Sequence, residues 1–267
     1  MQDMSDTSST FEKTSQSPLA WAADIQLAVV FLTRIPWRLN GDVPPQALNR
    51  ALRAFPLIGL IVGGGSATVF GLAHVANLPA LACALLAILS AVLLTGALHE
   101  DGLADVADGF GGGQDKARKL EIMRDSRLGA YGGLALVFSI GLRTSALIGF
   151  EDWTLGAAAL VGTACLSRVA PALLIYMMDP ARSDGLAATM EKPAGLIICQ
   201  SLGLGVALFL LCTPGMAGWI TLSVCALSLL IWKAIAQNQI DGQTGDVCGA
   251  SQQIIEISAL LTLASLL

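Results

Sequence analysis

The chain consists of blocks of about twenty apolar residues separated by short polar stretches, and a helix needs about that length to cross a bilayer. The blocks are Ala54–Ala76, Pro79–Leu98, Gly129–Phe150, Trp153–Met178, Gly195–Thr213, Met216–Ala236 and Val247–Leu267. The pattern therefore predicts an all-α fold, a polytopic transmembrane helix bundle with about seven spans.

The N-terminal part follows a different pattern. Residues 1–19 are rich in Ser and Thr and lack the basic and apolar regions of a signal peptide, which predicts a disordered leader. The spans leave no room for a separate soluble domain, so residues 20–267 are predicted to form a single integral membrane domain. Within it, Trp21–Ile35 is apolar but only about fifteen residues long, which is short for a span. We expect an interfacial or re-entrant helix there, although the sequence leaves open whether it crosses.

The position of the charges predicts the orientation in the membrane. The loops His74–Leu78, Glu151–Asp152 and Pro214–Gly215 contain no Lys or Arg, whereas the alternate loops are basic. By the positive-inside rule the basic loops face the cytoplasm. With 54% hydrophobic and 13% charged residues, no basic surface for a nucleic acid is indicated. The six cysteines show neither CxxC pairs nor metal-type Cys/His spacing, which argues against disulfides and zinc.

The polar stretch His99–Gly109 follows the second apolar block and carries aspartates at helical spacing. In a helix, Asp101, Asp105 and Asp108 fall within about 60° on one face. Carboxylates that face the same way repel one another unless a cation lies between them, and Mg²⁺ binds through such oxygens. The spacing predicts a metal site. The alternative is a solvated first helical turn, where acidic residues are common.

A glycine run and a basic stretch follow the aspartates. The order G-x-x-x-x-G-K-[ST] of a phosphate-binding loop is absent. Instead, Asp115 is predicted to cap a short helix at the membrane surface, with basic residues available to phosphate oxygens. Contact with lipid headgroups explains Lys116, Arg118 and Lys119 equally well. The residues nearest to the next span are the candidates for substrate contact, namely Arg124, Asp125 and Arg127.

Charged residues also occur inside the predicted spans, where a charge normally faces a partner or a cavity. Arg168 is predicted to lie in the cytoplasmic half of its span and to serve a site, whereas Arg143 is either an ion-pair member or a snorkelling residue. Thr244 and Asp246 precede the last span, where they can cap it and present a carboxylate. Glu256, within that span, needs a cationic partner, either Arg168 or Arg143.

Together these groups predict a cytoplasm-facing cavity for a phosphorylated substrate held through Mg²⁺. Phosphoryl-type transfer needs cations at the phosphates, a positioned nucleophile and a carboxylate that accepts a proton. A transporter would also use charges within the membrane, but transporters usually place them near the midplane between internal repeats. The sequence shows no convincing internal repeat.

Three runs, at matching order and spacing, resemble the adenosylcobinamide-GDP ribazoletransferase family, the membrane-bound cobalamin synthases of bacteria. These runs are His99–Gly109, Arg118–Gly133 and Gly242–Ala250, with shorter matches at Phe31–Pro36, Phe55–Gly59 and Ser167–Arg168. The resemblance implies transfer of the cobinamide-phosphate moiety of adenosylcobinamide-GDP to α-ribazole or its 5′-phosphate, which gives adenosylcobalamin or its 5′-phosphate and GMP, and it implies a requirement for Mg²⁺. It also implies a multi-pass protein among the lipids of the bacterial inner membrane, with its active site towards the cytoplasm.

The resemblance also suggests roles for individual residues. Asp101, Asp105 and Asp108 are expected to hold Mg²⁺, and Asp246 or one of these aspartates to take the proton of the attacking hydroxyl. The expected substrate-binding residues are His99, Arg124, Asp125, Arg127, Arg168 and Thr244.

The chain departs from the family at Glu100, where Leu is usual. Helical phase turns Glu100 about 100° away from Asp101, so we expect it outside the metal shell. A second enzyme class, the CDP-alcohol phosphotransferases, has a similar aspartate signature, but the residue order differs here and its arginine is missing. The sequence leaves open the number of metals, the choice between monomer and homo-oligomer, and the choice between free and phosphorylated ribazole.

Overall fold

The computed structural model describes residues 18–39, 46–185, 190 and 192–267. The predicted leader up to residue 17 lies outside the described residues. Within these ranges the regular structure is helical, apart from an isolated parallel bridge between Pro180 and Gln243. The all-α prediction is confirmed.

The helices follow one another with short connections. They are α1 Pro18–Leu32, α2 Gln46–Ala51, α3 Phe55–Val75, α4 Ala80–Thr95, α5 Leu98–Gly112, α6 Lys116–Ile122, α7 Ala130–Gly149, α8 Trp153–Ser167, α9 Val169–Met177, α10 Gly195–Cys212, α11 Met216–Ile240 and α12 Gly245–Leu266, with a 3₁₀ turn at Leu52–Ala54. Within the described ranges, six helical segments are long and apolar enough to cross a membrane. A seventh results if α4 and α5 form one span, which confirms the predicted number.

The junction between α4 and α5 is a sharp bend of 92°. Gly96 and Ala97 occupy the left-handed region there, with φ of 66° and 61°. Glycine adopts this conformation at little cost, which explains its position at the end of α4. The apolar block predicted to run to Leu98 is thus broken after Thr95, and α5 turns away nearly at right angles. The aspartates lie on this separate helix.

Close packing between α3 and α8 forms the centre of the bundle. A Cβ atom at Gly59 would lie 2.5 Å from the Cα atom of Cys165, and one at Gly63 would lie 2.7 Å from the carbonyl oxygen of Leu160. Small residues at such contacts let two helices approach to backbone distance, as is common in membrane bundles.

The N-terminal helix α1 is held against α2 by a buried ion-pair group. Asp24 accepts hydrogen bonds from Arg50 Nε at 2.7 Å and from Arg53 Nε at 2.8 Å. The Arg53 side chain is fully buried, and its guanidinium lies 4.2 Å from the ring centre of Trp21. With 15 residues α1 is short for a span, which agrees with the expected interfacial or re-entrant helix.

The polar loops between the spans meet at the two ends of the bundle. At one end, ion pairs link Arg124 with Asp184 and Lys116 with Asp241, thereby joining loops predicted to face the cytoplasm. At the other end, His74 stacks on Trp153 with 5.7 Å between ring centres. The loops that are predicted to face the cytoplasm therefore lie at the same end of the bundle.

Candidate functional site

The site is built where α5 contacts the first turn of α12. A Cβ atom at Gly102 would lie 2.9 Å from the carbonyl oxygen of Asp246, so only glycine permits this approach. Gly249 lies at the same contact, where an added Cβ atom would be 3.6 Å from the Cα atom of His99, an ordinary contact distance. This approach brings the predicted aspartate helix and the Thr-Gly-Asp turn together.

The aspartates of α5 differ in exposure. Asp101 is exposed, Asp105 is partly buried and Asp108 is buried. In the bent pair of α4 and α5, α4 is the apolar part that crosses, and α5 lies beyond the 92° bend, outside the part that crosses. Burial, together with the charges of Asp101, Asp246 and Asp108, raises the pKa of Asp105 to about 7, and Arg182 opposes this with a smaller effect. The cluster therefore holds more negative charge than its surroundings neutralise.

Asp108 has a structural task. Its carboxylate accepts hydrogen bonds from the backbone N–H groups of Gly129, at 2.7 Å, and Gly132, at 2.8 Å. A Cβ atom at either glycine would lie 2.3 Å from a carboxylate oxygen of Asp108. Asp108 thus fastens the start of α7 to α5. Its metal-binding role stays a prediction.

The residues of the cluster fit a magnesium ion that is shared with a substrate. Within the part of the chain that the structure describes, no three His, Cys, Asp or Glu side chains converge closely enough to hold a metal by themselves. Mg²⁺ usually keeps several waters and binds through one or two carboxylates together with substrate phosphates. Asp101 and Asp105 have the carboxylate oxygens that such a site would use, and Mg²⁺ binding by them stays a prediction.

The turn before α12 holds Asp246 next to the guanidinium group of Arg182. The Thr244 hydroxyl accepts a hydrogen bond from the N–H of Val247 at 3.2 Å, which confirms the predicted cap. The same hydroxyl lies 3.3 Å from Asp246 Oδ2, and Arg182 Nη2 lies 3.7 Å from that oxygen. Arg182 Nη1 is buried and has no hydrogen-bond partner within the described residues.

Arg182 is the site residue that sequence reasoning undervalued. In the sequence it is one basic residue of an inner loop, without a motif around it. Its position is fixed by pairing between distant loops, since Gln243 N donates to Asp179 O at 2.9 Å and Ala181 N donates to Gln243 O at 2.8 Å. A Cβ atom at Gly242 would lie 2.4 Å from Asp179 O, so glycine is needed here too.

The predicted phosphate contacts after α6 have partners in the surface loops. Arg127 Nε lies 3.0 Å from Asp125 Oδ1, and the side-chain and backbone hydrogen bonds from Arg127 together lower the pKa of Asp125 to about 2. Arg124 pairs with Asp184. None of the ion pairs that these residues make in the described ranges reaches Asp101 or Asp105. The structure therefore places them beside the site without joining them to it.

A buried polar network connects α5 with α7 and α12. Arg143 Nη2 lies 3.2 Å from Glu100 Oε1, and Arg143 Nη1 lies 3.4 Å from Glu256 Oε1. Gln253 Nε2 also donates to Glu100, at 3.2 Å. Of the two partners expected for Glu256, the structure selects Arg143. Glu100 therefore belongs to this network, and its expected place outside the metal shell stays a prediction.

Arg168 and His99 are both buried. Arg168 stands at the break between α8 and α9, where its Nη1 donates to the carbonyl oxygen of Ala164 at 2.8 Å. Its Nε has no hydrogen-bond partner among the described residues. His99 lies on the wall of a cavity next to Asp101.

This cavity, of about 240 Å³, opens between α1, α3, α5, α9 and α12. Most of its wall is apolar, with Phe31, Phe55 and Ile175 among the lining residues. Asp101 and Asp246 form part of the same wall. The cavity can therefore hold an apolar group next to two carboxylates.

These features define a polytopic membrane protein with a carboxylate and arginine site suited to a phosphorylated substrate. The sequence model of the family described as Cobalamin-5-phosphate synthase matches residues 24–264. The chain therefore belongs to the cobalamin-5-phosphate synthase family.

Individual relatives agree with this family. A protein of Azorhizobium caulinodans named adenosylcobinamide-GDP ribazoletransferase is 45% identical over 248 residues, which cover 90% of this chain and 94% of the relative. A protein of the same name from Bradyrhizobium diazoefficiens is 42% identical, covering 91% of this chain and 94% of the relative. No solved structure matches the chain.

Proposed function

We propose that the chain is an adenosylcobinamide-GDP ribazoletransferase, which joins the cobinamide phosphate of adenosylcobinamide-GDP to α-ribazole or its 5′-phosphate and releases GMP. The observation that carries the proposal is the contact of α5 with α12 at Gly102. It brings Asp101 together with Asp246 on one cavity wall, while Arg182 lies beside Asp246. Family membership supplies the identity of the substrates.

In this proposal Asp101 and Asp105, with Asp108 as the predicted third ligand, hold Mg²⁺. When bound, the ion neutralises charge on the diphosphate of the substrate. Arg182 has a buried N–H group without a hydrogen-bond partner among the described residues, and this group can donate to a phosphate oxygen. A guanidinium is well suited to that contact. Arg182 is thus better placed for the phosphates than Arg124 or Arg127.

The reaction itself is a displacement at phosphorus. The ribose 3′-hydroxyl oxygen of α-ribazole bonds to the phosphorus on the cobinamide side, the bond from that phosphorus to the GMP oxygen breaks, and GMP leaves. Asp246 accepts the hydroxyl proton. Thr244 keeps Asp246 in place by capping α12, and His99 lines the cavity next to Asp101. Arg168 is a buried cation, and its contact with the substrate stays a prediction.

The protein is proposed to lie in the bacterial inner membrane with this site towards the cytoplasm. The loops that carry the basic residues meet at the end of the bundle where the site lies, and the positive-inside rule assigns such loops to the cytoplasm.

The decisive experiment is an assay of GMP release by the purified protein and its Asp105→Asn variant. We expect the variant to lose at least about 100-fold in rate, because the amide cannot supply the charge that the site needs. Asp241→Asn is the matched control, since Asp241 is exposed and pairs only at the surface with Lys116. Full activity of Asp105→Asn would remove this residue from the site.

A parallel assay tests the other enzyme class. The wild-type protein is incubated with CDP-diacylglycerol and an alcohol under the same conditions. We expect no CMP release. Release of CMP, together with inactivity towards adenosylcobinamide-GDP, would instead assign the chain to the CDP-alcohol phosphotransferases.

A further inference from the structure

We infer that the apolar cavity beside Asp101 and Asp246 holds the dimethylbenzimidazole base of α-ribazole. The inference rests on the proposed function and goes beyond it, because it assigns one substrate to one subsite. The cavity volume is about 240 Å³. A corrin ring is several times larger, and a guanosine diphosphate carries charges that an apolar wall would not solvate. Among the groups that enter the reaction, only the benzimidazole base is small, planar and apolar.

The wall is suited to a planar ring. Phe31 and Phe55 both line the cavity, with 5.9 Å between their ring centres and 22° between their planes. Aromatic faces favour offset stacking with another aromatic system. Phe31 belongs to α1 and Phe55 begins α3, and the Asp24 ion pairs hold α1 in place. The N-terminal helix α1 therefore gains a role as part of a substrate subsite.

The polar wall explains why the base binds there. Asp101 and Asp246 line the same cavity as the two phenylalanines. In a nucleoside the base and the ribose hydroxyls are only a few bonds apart, so a base among the apolar residues brings the hydroxyls to the carboxylates. The subsite thus orients the attacking oxygen, which is the usual contribution of substrate binding to such a step.

A second apolar cavity provides a contrast. It has about 480 Å³, lies between α9, α10, α11 and α12, and its lining contains no charged residue. A nucleoside bound there would have no carboxylate near its hydroxyls. Leu222 of this second cavity is partly buried, as is Ile175 of the first, and the pair provides matched positions for a test.

The test fills each cavity with a larger side chain. Ile175→Trp is compared with Leu222→Trp, and the KM of each substrate is measured from initial rates of GMP release. We expect Ile175→Trp to raise the KM of α-ribazole about tenfold or more and to leave that of adenosylcobinamide-GDP within about twofold. Leu222→Trp should change neither. A riboside whose base lacks the methyl groups should recover part of the loss in Ile175→Trp.

Three results would overturn the inference. One is a selective rise in the KM of adenosylcobinamide-GDP, and another is an equal rise for both substrates in a monodisperse variant. The third, which applies even if Ile175→Trp fails to fold, is an unchanged KM of α-ribazole in Phe31→Leu, a milder change of the stacking wall. By contrast, a wild-type protein inactive with both substrates would refute the proposed function itself.

Discussion

At the scale of single residues, the aspartates of α5 show what helical spacing can and cannot predict. The sequence places Asp101, Asp105 and Asp108 on one face, and α5 is indeed helical. Spacing alone treats the three as equivalent. The structure separates them, because backbone N–H groups of the loop before α7 and of its first turn bind Asp108 while Asp105 is left among like charges.

The raised pKa of Asp105 predicts a pH dependence of metal binding. With a pKa of about 7, the carboxyl group is neutral below that pH and ionised above it, and a proton competes with the metal. We expect the affinity for Mg²⁺ to fall up to about tenfold between pH 7 and pH 6, as a single titrating group requires. Calorimetric titration of the detergent-solubilised protein measures this. A pH-independent affinity, or the same dependence in Asp105→Asn, would contradict the assignment.

Arg182 gives a second prediction at this scale. Arg182→Gln removes a buried N–H donor beside Asp246, so we expect the KM of adenosylcobinamide-GDP to rise about tenfold or more. Arg127→Gln serves as the control, since the Arg127 side chain is 87% exposed and pairs with Asp125; it should change KM by less than about threefold. Initial rates of GMP release at varied concentrations of adenosylcobinamide-GDP give the KM of both variants. A larger effect at Arg127 would restore the sequence-based assignment of the phosphate contacts.

At the scale of elements, the helix boundaries follow from the apolar blocks, whereas the approach of α5 to α12 does not. Hydropathy marks where a chain can cross a membrane, but it carries no information on which helices touch. The glycine that permits this contact, Gly102, looks in the sequence like any other small residue. Only the fold shows that a Cβ atom at Gly102 would meet the backbone of Asp246.

Gly102→Ala tests that contact. The added methyl group would lie 2.9 Å from the Asp246 carbonyl oxygen, so α5 and α12 must move apart and separate Asp101 from Asp246. We expect GMP release to fall at least about tenfold, since small misplacements of catalytic groups are costly. Gly133→Ala in α7 is the control, because a Cβ atom there has open space and should leave the rate unchanged. Equal rates for the two variants would show that the close approach is not needed.

At the scale of the whole molecule, the charged residues fall mainly into two groups, one in the loops at one end of the bundle and one in the interior. The loops rich in Lys and Arg meet around the site, and the interior keeps Arg143 with Glu100 and Glu256 in a paired network. Removal of one partner from such a buried group would leave the other charges uncompensated, which is strongly destabilising. The network therefore ties α5, α7 and α12 together behind the aspartates.

The position of the basic loops at one end of the bundle predicts the orientation of the protein in the membrane. Ser126 and Glu151 are both exposed, in loops at opposite ends of the bundle. In a background without the native cysteines, Glu151→Cys should react with a membrane-impermeant thiol reagent in cells whose outer membrane has been permeabilised. Ser126→Cys should react only after the inner membrane is opened. The reverse labelling pattern would place the site outside the cytoplasm and contradict the proposed function.

The sequence by itself determined the helical class, the number of spans, the capping residues Asp115 and Thr244 and the polar stretches of the site. These features depend on local composition and on hydrogen bonds between near neighbours, which a linear pattern records. Only the tertiary structure decided the bend after Thr95, the structural use of Asp108, the place of Arg182 and the choice of Arg143 as the partner of Glu256. Each of these depends on distances between residues far apart in the chain, which are set by how closely helices pack and which buried charges find a partner.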